Sequence, residues 1–118
     1  VVPGIELAGT SDLAVDGRKF SGNAQQRKRR HLLHHGTLLY GFDLGLVGRY
    51  LHIPLKKPVY RRDRDHLSFL MNLQVGALEP RKCLINTWEA VGDAAVPEQF
   101  VQRLVAERYS RPEWTRRR

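Results

Sequence analysis

Cysteine is almost absent: the 118 residues contain only Cys83. A disulfide within the chain and a cysteine zinc site are excluded, and a lone thiol fits a reducing compartment. Its place between Lys82 and Leu84, in a segment of helical spacing, predicts a small buried or half-buried side chain rather than a nucleophile. Long apolar runs are also missing. None approaches the roughly 20 residues of a membrane span, and the start lacks the pattern of a secretory leader. A cytoplasmic protein without a membrane partner is the expectation. The first residue is Val1 rather than Met, which makes a partial domain the expectation. Acidic residues are outnumbered, 12 against 20 basic ones, giving a net charge of +8. Such a surface attracts nucleotides, polyanions or acidic proteins without choosing among them.

What is present falls in short apolar runs, enough for a small core. Residues 5–9 and 12–15 read as short strands, joined through the hairpin signal Asp16-Gly17 to a third strand over 18–27. Ser21, Gly22 and Ala24 leave room over that strand for a ligand or another backbone. Four adjacent cations, Arg27 to Arg30, predict a solvated turn or exposed strand end. Residues 31–40 carry large or apolar groups on both faces, as a central strand covered on both sides does. Asp43 is placed to cap a short helix burying Leu44, Val47 and Leu51. Pro54 and Pro58 break the chain into a loop, and Tyr60 to Asp65 mixes charges as a solvated segment does. Asp65 opens a short helix over 66–73. Two further helices are expected near 80–91 and 97–109, each opened by a proline, Pro80 or Pro97. The first aligns Leu84, Ile85, Trp88 and Val91; the second aligns Phe100, Val101, Leu104 and Val105. Trp88 and Trp114 are read as core or interface anchors, and the tail Arg116-Arg117-Arg118 as frayed. Strands over 5–40 followed by helices over 43–109 make an α+β fold: a mostly antiparallel sheet with helices packed against it.

The chemistry concentrates between Thr10 and Tyr40, in Ser11-Asp12-Leu13, Lys19-x-Ser21-Gly22-Asn23-Ala24 and His34-His35-Gly36-Thr37-Leu38-Leu39. A lysine in a strand is usually a solvated surface residue. Here it stands beside small residues that leave space for a ligand, where a fixed ammonium can hold two anionic groups together. Joining a carboxylate to a phosphate needs such a preplaced cation, because charge grows on the α-phosphate in the transition state. His34 and His35 alternate faces, so at most one of them serves a given site.

These three elements, in this order and spacing, resemble the lipoate-protein ligases of the biotin/lipoate ligase family. The likeness continues through Asp43-Leu44, Tyr60-Arg61-x-x-Arg64-x-His66 and Asn72-Leu73, and extends to Arg108-Tyr109-Ser110-x-Pro112-Glu113-Trp114. The resemblance implies a partial catalytic domain of the class II aminoacyl-tRNA synthetase/biotin ligase-like kind, with residues 1–118 as its C-terminal part. It implies activation of lipoate or octanoate by Mg2+ and ATP, through a lipoyl-AMP intermediate, and transfer to a lysine of an acceptor domain. Lys19 would be the catalytic lysine bridging the acyl carboxylate and the α-phosphate. Asp12 would lie near Mg2+ and the phosphates. Gly22, Asn23 and Ala24 would line the nucleotide and acyl site, with His35 and Gly36 on the adjacent strand. The implied partners are apo lipoyl domains of 2-oxoacid dehydrogenase E2 or of the glycine cleavage H protein. An Arg-Arg-x-x-Gly-Gly-Gly-type motif, which helps build the lipoate and ATP pockets in these ligases, is absent from the chain. The N-terminal part of the same domain is therefore a further expected partner, and the chain alone is expected to be inactive.

Two alternatives remain open at this level. Related octanoyltransferases use a cysteine nucleophile and a carrier-protein donor without ATP. A non-catalytic basic binding module is the other, supported by the clusters 27–30 and 116–118. A nucleic-acid partner is not expected, since no such motif is recognisable and the aromatics do not interleave with the basic runs.

Overall fold

Asp16 and Gly17 have φ of 50° and 67°, the two left-handed residues that a two-residue hairpin turn demands. The structure, a computed structural model, describes residues 2–117. The turn joins β2 (Asp12–Val15) to β3 (Arg18–Arg27). With β1 (Glu6–Ala8) and β4 (Leu32–Leu38) they form one antiparallel meander in the order β1-β2-β3-β4. The antiparallel sheet and the helices after it make the expected α+β composition.

The chain divides into two units, residues 1–83 and 84–118. In the first unit, α1 (Gly45–Tyr50) is followed by a 3-10 turn (Val59–Arg61) and then α2 (His66–Phe69). The Asp65 carboxylate accepts the Ser68 N–H as an N-cap should, at 2.8 Å. Beyond α2 the chain is extended. Leu70 bridges Lys19 in parallel, and the Met71 N–H donates to the Lys19 carbonyl at 2.9 Å. Asn72 donates to the Phe42 carbonyl at 2.8 Å and accepts from the Phe42 N–H at 3.2 Å, clamping the chain after β4. The buried apolar core among the described residues is Ala14, Phe20, Phe69 and Leu73, drawn from the sheet, the end of α2 and this return segment.

Helix α3 (Leu78–Thr87) crosses the boundary between the units. The second unit holds α4 (Glu98–Leu104), a π-helical turn (Val105–Tyr109) and α5 (Pro112–Thr115). The Arg108 guanidinium lies 4.0 Å from the Trp114 ring centroid, and Tyr109 meets that ring edge-on at 5.4 Å.

Several expectations are corrected. β4 is an edge strand rather than a central one, since β3 is its only partner among the described residues. Its residues 32–37 are exposed, Leu32 and Leu33 included. Leu44 and Val47 are only half-buried and Leu51 is exposed, while Asp43 takes the Gly45 N–H at 2.9 Å. The helix expected over 66–73 stops at Phe69, because the next residues give their hydrogen bonds to the sheet. The segment 60–65 is not simply solvated. Arg61 is buried over the Phe69 ring, and Arg64 donates to the Tyr60 and Gly17 carbonyls at 2.7 and 2.9 Å. α3 starts two residues before Pro80, and Pro97 caps α4 rather than entering it. Cys83 and Trp88 are exposed, so neither belongs to the core. Arg118 of the tail lies outside the described residues.

Phe20 is 1% exposed and is the largest fully buried side chain. Phe20→Ala is expected to destabilise the first unit by about 3–5 kcal/mol. Leu55→Ala, at a fully exposed side chain, should change stability by less than about 0.5 kcal/mol. Urea unfolding followed by circular dichroism separates the two, and equal midpoints would place the core elsewhere.

Candidate active site

A regular strand would set Lys19 and Gly22 on opposite faces, because side chains alternate. β3 is not regular. Leu13 pairs with Ser21, but the next residue, Ala14, pairs with Lys19. Phe20 is the extra residue of a β-bulge, and it shifts the alternation by one. Asp12 pairs with Gly22, so Asp12, Ala14, Lys19 and Gly22 share one face. Ala24 and its partner His35 continue that face onto β4. Five of the residues singled out in the sequence are thereby brought to one side of the sheet: Asp12, Lys19, Gly22, Ala24 and His35.

On that face Lys19 Nζ lies 2.7 Å from Asp12 Oδ1. A Cβ at Gly22 would stand 3.1 Å from Lys19 Nζ and 3.2 Å from its Cε. The glycine is thus the floor over which the lysine lies. The second carboxylate oxygen of Asp12 accepts from the Tyr60 hydroxyl at 2.8 Å. Burial, and then the hydrogen bond to Asp12, push the Tyr60 phenol above its ordinary value, so it stays a neutral donor. The side chains of Lys19 and Asp12 are 27% and 14% exposed. This partial access lets an incoming anion reach the ammonium, and weak solvation strengthens what it finds there. Asp12 is Lys19's one hydrogen-bonding or ionic partner among the described residues, which leaves two of the three ammonium protons available.

Asn23 and Gly36 pair with each other and fall on the opposite face. Asn23 Nδ2 donates to the Ser11 carbonyl at 2.9 Å and to the buried Ser21 hydroxyl at 3.1 Å. A Cβ at Gly36 would collide with the Asn23 carboxamide. Asn23 thereby ties the β1–β2 turn to β3, and Gly36 leaves room for its carboxamide. That face opens a cleft of about 620 Å3 lined by Leu7, Leu13, Asn23, Gln25 and His34, among others, and by no Lys, Arg, Asp or Glu. A second cleft of about 600 Å3, lined in part by Glu6, Asp16, Tyr60, Arg62 and Arg64, borders the Tyr60 side of the lysine face. The larger of these two clefts has no fixed charge in its lining, whereas the lysine face carries the Asp12–Lys19 pair.

No group of three or more His, Cys, Asp or Glu positioned to hold a metal occurs among the described residues. Asp12 is the one carboxylate on Lys19. Each of its oxygens has one partner, and a carboxylate has about four acceptor positions in all. It fits an ion that takes a single protein oxygen and draws its other ligands from phosphate and water, the usual habit of Mg2+.

Tyr60 is the site residue that a reading by charge and spacing misses. Its segment belongs to the family resemblance, which is the signal that could have found it. His66 of that segment is explained in part. Its Nδ1 lies 3.4 Å from Arg61 Nη2. Its Nε2 is buried without a partner.

Residues 3–77 match the lipoyl protein ligase A/B catalytic domain family. Among individual relatives, the probable lipoate-protein ligase A of Mycoplasma pneumoniae is 39% identical over 54 residues, 46% of this chain and 16% of that protein. The lipoate-protein ligase LplJ of Bacillus subtilis is 51% identical over 35 residues, 30% of this chain and 11% of that protein. The octanoyltransferase LipM of Symbiobacterium thermophilum is 27% identical over 127 aligned residues, 96% of this chain and 46% of that protein. The chain spans less than half the length of the relatives it matches. The family match covers the sheet, the bulge and the Asp12–Lys19–Tyr60 cluster. The chain belongs to the lipoyl protein ligase A/B catalytic domain family.

Proposed function

We propose that this chain is the C-terminal part, residues 1–118, of a biotin/lipoate ligase-like catalytic domain related to class II aminoacyl-tRNA synthetases. In this reading it activates lipoate or octanoate as an acyl-adenylate and transfers the acyl group to a lysine of a lipoyl acceptor domain. The observation that carries the reading is the Lys19 ammonium, held over Gly22 by Asp12 at 2.7 Å with two protons left for anions.

ATP supplies the activated phosphate. An acyl carboxylate oxygen bonds to the α-phosphorus while pyrophosphate leaves. The acceptor amine then bonds to the acyl carbon, gives up its proton, and AMP leaves. Both reactants of the first step are anions, and their approach is opposed by repulsion. Lys19 lowers that repulsion by contacting both, and it does so more strongly as charge builds on the phosphate. Asp12 would hold Mg2+ through an acceptor position left free, where the ion neutralises phosphate charge. Gly22 and Ala24 keep the lysine face low enough for the nucleotide and acyl chain, and His35 borders them on β4. Asn23 and Gly36 support this site from the other side of the sheet.

The proposed partners are an N-terminal complement of the same domain and the apo lipoyl domain of a 2-oxoacid dehydrogenase E2 or of the glycine cleavage H protein. The exposed Leu32 and Leu33 on edge strand β4 are consistent with a complement that covers them. A second reading, an octanoyltransferase with a carrier-protein donor, is favoured by the LipM alignment along 96% of the chain. It needs a thiolate near Lys19, and Cys83 stands on α3, outside the sheet.

Combined with an N-terminal complement from a relative, the chain is expected to add a lipoyl group to an apo lipoyl domain when given free lipoate and Mg-ATP. Lys19→Ala should lower that rate by at least about 100-fold, the scale of losing one preplaced charge-stabilising group. Intact mass of the acceptor is the readout. Octanoyl gain from an octanoyl carrier protein without ATP would establish the transferase reading instead. No gain in either arm, with the sheet shown folded, would end both.

A further inference from the structure

A carboxylate torsion is soft, and a partly exposed ion pair on its own holds little. Something must therefore fix Asp12 if Asp12 is to fix Lys19. The Tyr60 hydroxyl is the one other side-chain group bonded to that carboxylate among the described residues. Its own seat is well built. The ring lies 5.2 Å from that of buried Phe69. Gly9 also comes so close that a Cβ there would touch Tyr60 Cε1 at 3.4 Å. Arg64 binds the Tyr60 and Gly17 carbonyls, fastening the 3-10 turn to the β2–β3 hairpin. Phe69 also carries the Arg61 guanidinium at 4.6 Å and that of Arg64 at 5.4 Å. The charged neighbours of the phenol are Asp12, Glu6 and Arg64.

We propose that Tyr60 is a positioning residue for Lys19 and acts through Asp12: its phenol proton, given to Oδ2, fixes the carboxylate so that Oδ1 holds the ammonium over Gly22. The inference rests on the proposed role of Lys19 for its meaning in acyl transfer, while its geometry stands in the chain alone. This role belongs to a residue 41 positions from Lys19 (60 against 19) and on a different element.

The deciding experiment uses the 118-residue chain with 15N-labelled lysine and needs no acyl substrate. Its failure and a failure of the acyl-transfer reading are thus separate events. Lys19 Nζ is assigned by its loss in Lys19→Arg, and hydrogen exchange of the ammonium is measured near neutral pH. Tyr60→Phe keeps the ring against Phe69 and should speed Lys19 exchange about tenfold, the loss expected for one charge-assisted hydrogen bond. Asp12→Asn should speed it at least as much. The coupling is reciprocal and its other half needs no change at Tyr60: Lys19→Met frees the carboxylate to turn and should speed exchange of the Tyr60 hydroxyl proton. Unchanged Lys19 exchange in Tyr60→Phe, with exchange accelerated in Asp12→Asn, would overturn the proposal. Unchanged exchange of the Tyr60 hydroxyl proton in Lys19→Met would overturn it as well.

Discussion

The rest of the site depends on one extra residue in β3. Phe20 enters between the partners of Leu13 and Ala14, and the face served by Lys19 changes with it. In a regular strand the lysine would share its face with Ser21 and Asn23, over a cleft without fixed charge. The bulge instead sets it beside Asp12 and Gly22. A bulge disturbs the ladder, and backbone groups freed by it need partners. Here the Lys19 carbonyl is taken by the Met71 N–H and the Phe20 carbonyl by the Leu39 N–H. The bulged residue is also the deepest large side chain of the core. Packing and chemistry are therefore one constraint: what buries Phe20 also aims Lys19.

Much of this was legible in the sequence, for physical reasons that can be named. Asp16-Gly17 announced its turn because few residue pairs tolerate two positive φ values. The four strands came from short β-rich runs between turn signals, and Asp65 did cap a helix. The bulge was not legible. A period of two counted across it sends Lys19 to the wrong face, and no residue type marks the slip. β4 was misjudged because a two-sided apolar pattern shows what a strand can pack against, not what covers it. Arg61 was misjudged because a run of mixed charge reads as solvated. Its burial depends on Phe69, eight positions later, and on the Arg64 carbonyl that accepts from it at 3.1 Å. Both partners are set by the fold rather than by local preference. Trp88 and Val91 had the right helical spacing and still stand exposed, since spacing alone supplies no surface to bury against.

The positive charge of the chain acts in two separate ways. Arg27 to Arg30 lie exposed at the β3–β4 hairpin tip, as a repelling cluster should. Charges of that kind steer anions at a distance and are screened by salt within about 8 Å under physiological conditions. Lys19 contributes by contact from a half-buried position. Net charge therefore bears on encounter, whereas the Asp12–Lys19–Tyr60 geometry sets what an anion meets on arrival.

Lys19 alone does not choose between ligase and transferase chemistry. In both, an acyl group passes to an amine while negative charge gathers on an oxygen, and an aimed ammonium helps either one. The choice lies in how the acyl carbon is activated. A ligase must bring two anions together, so it needs an ammonium with free protons and a carboxylate that does not swing toward the incoming phosphate. Asp12, tied on its far oxygen by a neutral phenol, meets that requirement. A transferase must instead keep a thiolate beside the acyl donor. The one thiol of this chain, Cys83, stands on α3 rather than on a strand. In the proposed ligase reading, the two partners of Asp12 are what would keep Lys19 aimed at both anions.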